Sequence, residues 1–209
     1  MIKKLNRMVR SVISLNRYTE FRTLVRMMRI DDKDYLLDVG SGDGYWTYRL
    51  ASIAGSVVGM DPNPILLELA RKHYSKSNLL FEEGSAENLP YDDSTFEKVV
   101  SVSVVEHFDN PVKGIAEMGR VLKPGGILAI SVDSLLQENS NEKFRKFHKK
   151  KHFVTTYFTL SGLYEILEEQ GLKPAKLETV GLFSSKYSGK LREIFIKKTK
   201  LFLPLFPLF

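Results

Sequence analysis

The run Asp38-Val-Gly-Ser-Gly-Asp-Gly44 does most to limit what this 209-residue chain can fold into. Directly before it, Tyr35-Leu-Leu-Asp-Val39 reads as a short buried strand, and directly after it a helix is expected from about Tyr45 to Ile53. Glycines between a strand and a helix make the turn on which open α/β sheets hold nucleotides. Glycine reaches positive φ without penalty and lets backbone N–H groups approach a ligand. The helix behind the turn adds free N–H groups and the positive end of its dipole.

The same alternation continues. Ser56–Met60, Asn78–Glu82, Lys98–Val102 and Ile127–Val132 read as further strands. Helices are expected to start at Pro62 and Pro64 and at Pro111, and again over about Leu160–Gln170, closed by Gly171. Strands alternating with helices imply a three-layer α/β fold: a Rossmann-like, mostly parallel sheet with helices on both faces. Two later β-prone runs, Lys176–Phe183 and Leu191–Lys197, predict an antiparallel C-terminal strand pair at one end of the sheet.

Asp61 lies at the end of the second strand, where a carboxylate can accept from both hydroxyls of a ribose; the plainer reading has it N-capping the next helix with Pro62 and Asn63. The glycine spacing discriminates further. A dinucleotide turn needs glycine at position 45, which is Tyr45; the third glycine is Gly44 instead. That D-x-G-x-G-x-G pattern resembles motif I of the class I S-adenosylmethionine (SAM)-dependent methyltransferases, closest to the ubiquinone/menaquinone-biosynthesis-like methylases. Gly84-Ser-Ala-Glu-Asn-Leu-Pro90, Phe96-Glu-Lys-Val-Val-Ser101, Val105-Glu-His107 and Arg120-Val-Leu-Lys-Pro-Gly-Gly126 resemble later signatures of the same family.

The resemblance covers roughly residues 31–200 and implies a site. Asp38, Gly40, Ser41, Gly42 and Gly44 would hold the methionyl end of SAM, Asp61 and Pro62 the ribose, and Ser85, Ala86 and Glu87 the adenine, with Ser103 beyond strand 4. The family's usual aspartate at the adenine is Ser85 here. A neutral hydroxyl still accepts from the exocyclic amine, so Ser85→Asp is expected to leave SAM binding equal or tighter.

Methyl transfer from a sulfonium is an in-line displacement that leaves S-adenosylhomocysteine, and it depends on positioning and on excluding water. A base is needed only when the acceptor arrives protonated. His107, after the fourth strand, is the candidate base, and Glu106 would orient it or the SAM amino group. The plainer reading is a histidine that bonds a neighbouring loop. Tyr18, Tyr45 and Trp46 are candidates to shield the sulfonium, against a plain core role, and His152 to face the acceptor.

Composition removes other classes. There is no cysteine, so disulfides, thiolate zinc sites and a cysteine nucleophile are excluded. His73, His107, His148 and His152 lack metal-site spacing, so no metal is expected. Basic charge concentrates in residues 1–30 (net +7), 142–152 (net +5) and 186–200 (net +5), on an otherwise acidic chain. No run is long enough to span a bilayer, and a cytoplasmic, at most membrane-peripheral, location is expected. Ile2, Leu5, Val9, Val12 and Ile13 share one face of a helix whose other face is basic. Residues 201–209 carry no polar side chain.

Three parts are therefore expected: a basic N-terminal cap over 1–30, the SAM-binding domain over 31–200 and an apolar tail over 201–209. In one reading the cap closes the site and the tail packs on the domain or on a second subunit of a homodimer. In the other, residues 1–15 and 201–209 dock on an anionic membrane, and the acceptor is lipid- or isoprenoid-linked rather than another small molecule. The rival function classes are an RNA methyltransferase, disfavoured because Ser103-Val-Val-Glu-His107 lacks the N/D-P-P-Y of base-flipping enzymes, and a non-catalytic SAM-binding module.

Overall fold

A computed structural model describes residues 15–133, 146, 150, 153–174, 178–180 and 200–207. The chain opens with helix α1 (Leu15–Met28) and alternates through β1 (Tyr35–Val39), α2 (Tyr45–Leu50), β2 (Ser56–Asp61), α3 (Pro64–His73), β3 (Leu79–Glu83) and β4 (Phe96–Val102). A 3₁₀ turn (Val105–His107), α4 (Pro111–Val121), β5 (Leu122–Asp133) and α5 (Leu160–Glu169) follow.

β3, β2, β1, β4 and β5 lie side by side in that order, and every neighbouring pair is parallel. The order reverses between β1 and β4, and a crevice opens outside the carboxyl ends of strands at such a point. Both faces of the sheet are buried, which explains the nearly unbroken apolar strands. Leu37, Val39, Val58, Met60, Val99 and Leu128 face one core, with Ile115 and Met118 of α4 and Leu163 and Leu167 of α5. Leu36, Val57, Val100 and Ile127 face the other, with Phe21, Leu24 and Met28 of α1, Leu50 of α2 and Leu67 of α3.

The prolines start helices as their chemistry dictates. Asn63 caps α3, its side chain accepting the Ile65 and Leu66 N–H groups, with Pro64 in the first turn. Asn110 caps α4 ahead of Pro111, and Thr159 caps α5. The N-cap is thus Asn63 and not Asp61, which leaves the Asp61 carboxylate facing the glycine turn.

The far end of the sheet differs from expectation. Of the two β-prone runs, Glu178–Val180 (β7) is the described strand of the first, and 191–197 lies outside the described residues. Short β6 (Leu172–Pro174) precedes β7. Lys200–Pro207 (β8), which takes in most of the expected 201–209 tail, is extended and runs antiparallel beside β5. The fold class rests on the five parallel strands. Residues 1–14, with the basic amphipathic stretch, and His152 also fall outside the described residues.

Candidate active site

Gly40, Gly42 and Gly44 have φ of 84°, 54° and 79°, conformations that a side chain adopts only under strain. Space divides them. A Cβ on Gly40 would meet the Val104 side chain at 2.5 Å, and one on Gly44 would meet Phe81 at 2.6 Å and Ala70 at 2.7 Å. A Cβ on Gly42 would meet nothing within 4 Å. The outer glycines are therefore packed against the protein, while the middle one faces the crevice.

The turn is fastened to β2. The N–H groups of Gly40 and Ser41 both donate to the Met60 carbonyl, at 2.7 and 2.9 Å. The Gly42 N–H donates to Asp61 Oδ2 at 2.8 Å, and the Asn63 N–H to Asp61 Oδ1 at 2.9 Å. An ionised carboxylate has about four acceptor positions, so Asp61 retains capacity for ribose hydroxyls. Ser41 Oγ is buried and has no hydrogen-bond partner among the described residues, a polar atom that a bound donor molecule could satisfy.

Asp38 is buried at the end of β1 and accepts from Thr47 Oγ1 of α2 at 2.6 Å. Burial, offset in part by the Thr47 bond and reinforced by nearby Asp61, pushes its carboxyl up to about 6. A cationic ligand group placed beside it would favour the ionised form.

Two cavities meet at Gly40 and Val104. The smaller, about 180 Å³, is lined among others by Met60, Pro62, Ser85, Ala86, Glu87 and His107. The larger, about 400 Å³, lies between the turn, α1 and the end of β4; Phe21, Leu24, Asp38, Ser41, Trp46 and Ser103 are among its lining. Their placement suits an adenosine on the first side and a methionyl chain with its acceptor on the second.

On the first side Ser85 does not stand alone. Its hydroxyl donates to Glu87, whose other oxygen accepts the Asp109 N–H at 3.1 Å and the Asn110 N–H at 3.4 Å. Burial pulls the Glu87 carboxyl upward, but the Ser85 hydroxyl and the backbone N–H groups of Glu87, Asn110 and Asp109 hold it below the usual range on balance. A carboxylate is thus retained beside position 85, supplied from two residues on.

His107 lines the smaller cavity, and its Nδ1 lies 3.2 Å from the Phe153 carbonyl. Glu106 is fully buried, and its carbonyl accepts from the N–H groups of Thr155 and Thr156 and from Thr155 Oγ1. The Glu-His pair therefore ties the 153–156 loop to the rim of the site.

Three sequence candidates fall out differently. Tyr18 is 43% exposed under the Arg22 guanidinium and lines neither cavity. Tyr45 also lines neither; its ring turns toward Tyr74, with centroids 6.1 Å apart. Trp46 reaches the larger cavity instead and stacks on Phe21 at 4.7 Å. One step along a helix is about 100° of rotation, which decides whether a ring faces the sheet or its edge.

Arg120 of the R-V-L-K-P-G-G signature is scaffolding. It bonds Glu117, Asp93 and the Leu89 and Tyr91 carbonyls, holding the loop between β3 and β4. Lys123 bonds Glu97, whose other oxygen accepts the Tyr35 N–H. From sequence we did not single out Thr47, Val104 or Glu20. Thr47 had a detectable signal, since a threonine two positions into the helix after the turn is placed to reach back to β1. Glu20 had only the weak signal of the one acid in a basic stretch.

Residues 37–130 match the methyltransferase domain family. A demethylmenaquinone methyltransferase of Chlorobaculum tepidum is 39% identical over half of this chain, which covers 43% of that protein. A ubiquinone biosynthesis O-methyltransferase of Cereibacter sphaeroides is 29% identical over 66% of the chain, covering 60% of that protein. The chain thus spans about half the length of these curated relatives. Among solved structures, a SAM-dependent methyltransferase from Mesorhizobium loti superposes with a TM-score of 0.75 at 15% identity, over 90% of this chain and 97% of that one.

Proposed function

We propose that residues 37–130, which match the methyltransferase domain family, form a class I, SAM-dependent domain, and that the chain methylates a small-molecule, lipid- or isoprenoid-linked acceptor. The observation that carries the reading is the glycine turn. Gly40 and Gly44 are locked by packing, Gly42 is open to the crevice, and Asp38 and Asp61 stand at the ends of the two adjoining strands.

When bound, SAM supplies an electrophilic methyl on a sulfonium. The chain's own residues do the rest by positioning. The helix α2 N-terminus and Ser41 would receive the methionyl carboxylate, Asp38 would face its amino group, and Asp61 the ribose. Pro62, Ala86 and the Ser85–Glu87 pair would bound the adenine. The Phe21–Trp46 stack and Leu24 give the larger cavity an apolar wall that excludes water and suits a flat or hydrocarbon-bearing acceptor. Relatives named for quinone and hydroquinone methylation support that acceptor class. His107, at the rim of the smaller cavity, is the candidate group for removing an acceptor proton.

The N-terminal cap reading gains support from α1, whose Phe21 and Leu24 cover the larger cavity. No helix among the described residues is long and apolar enough to cross a membrane. Contact with an anionic membrane surface is supported by the basic face of residues 1–15 in sequence. Residues 201–207 lie in the sheet beside β5 and suit an anchor less well. In flotation with anionic vesicles the whole chain should float, and a variant lacking 1–14 should stay in the soluble fraction.

The acceptor is tested by incubation with methyl-labelled SAM and fractionated cell extract. Label should enter the lipid-extractable or small-metabolite fraction in wild type and not in Gly42→Val. Label confined to nucleic acid or protein would overturn the acceptor class.

A further inference from the structure

His107 closes a three-residue 3₁₀ turn, Val105–His107, just after β4. The carbonyls on either side of it are taken by a segment that lies 46 to 49 residues further along the chain. The Glu106 carbonyl accepts the N–H groups of Thr155 and Thr156, at 2.8 and 3.2 Å, and Thr155 Oγ1 at 2.9 Å. The same hydroxyl lies 2.8 Å from the Phe108 carbonyl. Thr155 thus bridges the two residues that flank His107, while the Phe153 carbonyl lies 3.2 Å from His107 Nδ1. Val154 and Phe158 are buried, so the segment has its own apolar anchors. Phe153, by contrast, holds φ of 55° with 83% of its surface exposed. Its ring gains no burial in return for that strained conformation; what the residue supplies to the site is its carbonyl.

A carbonyl oxygen only accepts, so Nδ1 of His107 must carry the proton of that bond. In the neutral ring the lone pair then lies on Nε2, which has no hydrogen-bond partner among the described residues. His107 lines the smaller cavity, which meets the larger one at Gly40 and Val104. A ring tied down by one nitrogen and open at the other is the arrangement that a base needs. The two sequence readings of His107, a base and a ring that bonds a neighbouring loop, are therefore compatible.

We propose that Thr155 is a positioning residue for His107. By bridging the Glu106 and Phe108 carbonyls it holds the ring against the Phe153 carbonyl and fixes the Nδ1–H tautomer, leaving Nε2 to take the acceptor's proton. The inference rests on the reading of His107 as the base. The acceptor atom gives its proton to Nε2 as it takes the methyl, and the leaving sulfur keeps the pair of the broken carbon–sulfur bond. The ring, now cationic, keeps its Nδ1–H bond to the Phe153 carbonyl. Thr155 itself lines neither cavity and acts only through His107.

Nitrogen NMR of the isotope-labelled full chain reads the tautomer directly, with His107 assigned by the signals lost in His107→Gln. In alkaline buffer the wild type should show a single neutral form, protonated at Nδ1. Thr155→Val keeps the shape and removes the hydroxyl, and it should show the two tautomers averaged. It should also lower transfer of label from methyl-labelled SAM into fractionated cell extract about tenfold, part of what a positioned base contributes. SAM affinity in calorimetry should change by less than about twofold, the scale of a substitution outside both cavities. Thr155→Ser should restore both the tautomer and the transfer. A proton on Nε2 in the wild type overturns the proposal, and so does an unchanged tautomer or an unchanged transfer in Thr155→Val. If the tautomer is as expected but His107→Gln transfers label as well as wild type, the base reading itself fails, and this inference with it.

Discussion

The two sides of the site solve the same electrostatic problem in opposite ways. On the side proposed for adenine the carboxylate of Glu87 is reachable from solvent and is held ionised by a hydroxyl and backbone N–H groups. On the side proposed for the methionyl chain Asp38 is buried with one hydroxyl partner, and burial pushes it toward protonation. The contrast shows where ligand charge matters. Adenine is neutral and asks only for hydrogen-bond geometry, so a screened carboxylate and a serine suffice. The methionyl end carries formal charges, and in the proposed placement a buried acid would face it at low dielectric, where such a group is both costly and strong.

The sharpest way to break this comparison is at the turn shared by both sides. Gly40→Val should abolish SAM binding in calorimetry, because its side chain would enter the space of Val104 at an unfavourable φ, and the melting temperature should fall as well. Gly42→Ala should separate the two effects. Its Cβ has room, so thermal melts should show a loss of only about 1–2 kcal/mol, from the positive φ. SAM affinity should still drop clearly, because the methyl projects into the crevice.

Next in size is pH. The folded-state carboxyl of Asp38, at about 6, lies above its ordinary value, so the folded protein binds the extra proton. Asp38 therefore contributes stability that is fully present below the unfolded value, near 4, and is lost as pH rises through about 6. SAM, with its cationic groups, should bind more tightly over the same rise, measured by calorimetry at several pH values. Asp38→Asn should flatten both dependences. A wild-type affinity that stays constant from pH 5 to 7 would falsify the placement of a ligand cation beside Asp38.

A smaller effect tests the adenine side. From sequence, Ser85→Asp promised equal or tighter binding; the hydrogen bond between Ser85 and Glu87 reverses that expectation. An aspartate there faces Glu87, and SAM should bind more weakly, by about 1 kcal/mol for a screened like-charge pair. Combining it with Glu87→Gln should restore affinity, so the double-mutant cycle reads the coupling. The smallest change is expected for Tyr18→Ala, within about 0.5 kcal/mol in SAM affinity, since that ring lies on the surface outside both cavities.

Much of the fold was legible because its signals are local. Strand, glycine turn and helix follow one another within a few residues, and buried parallel strands announce themselves as apolar runs. Asp61 and the prolines of α3 and α4 were readable for the same reason. The aromatics were not. Tyr45 and Trp46 are equivalent by composition, and only the docking of α1 on α2 sets Trp46 against Phe21. That residues 200–207 pair with β5 was not legible, because strand pairing across a long connection leaves no periodic trace in either partner.

By itself, the sequence determined the donor end: a turn of glycines at fixed spacing, an acid at the end of each of two adjacent strands, and an alternation that admits a parallel sheet. These follow from backbone sterics and from repeat periods of two and 3.6 residues, which act within short windows. Only the tertiary structure decided which polar groups meet. Glu20, Ser103 and Ser131 are separated by 83 and 111 residues along the chain, and they meet on one carboxylate oxygen because α1 folds back across the ends of β4 and β5. Burial and dielectric belong to that assembled surface, so the strength of each acid could not be read until the layers were packed.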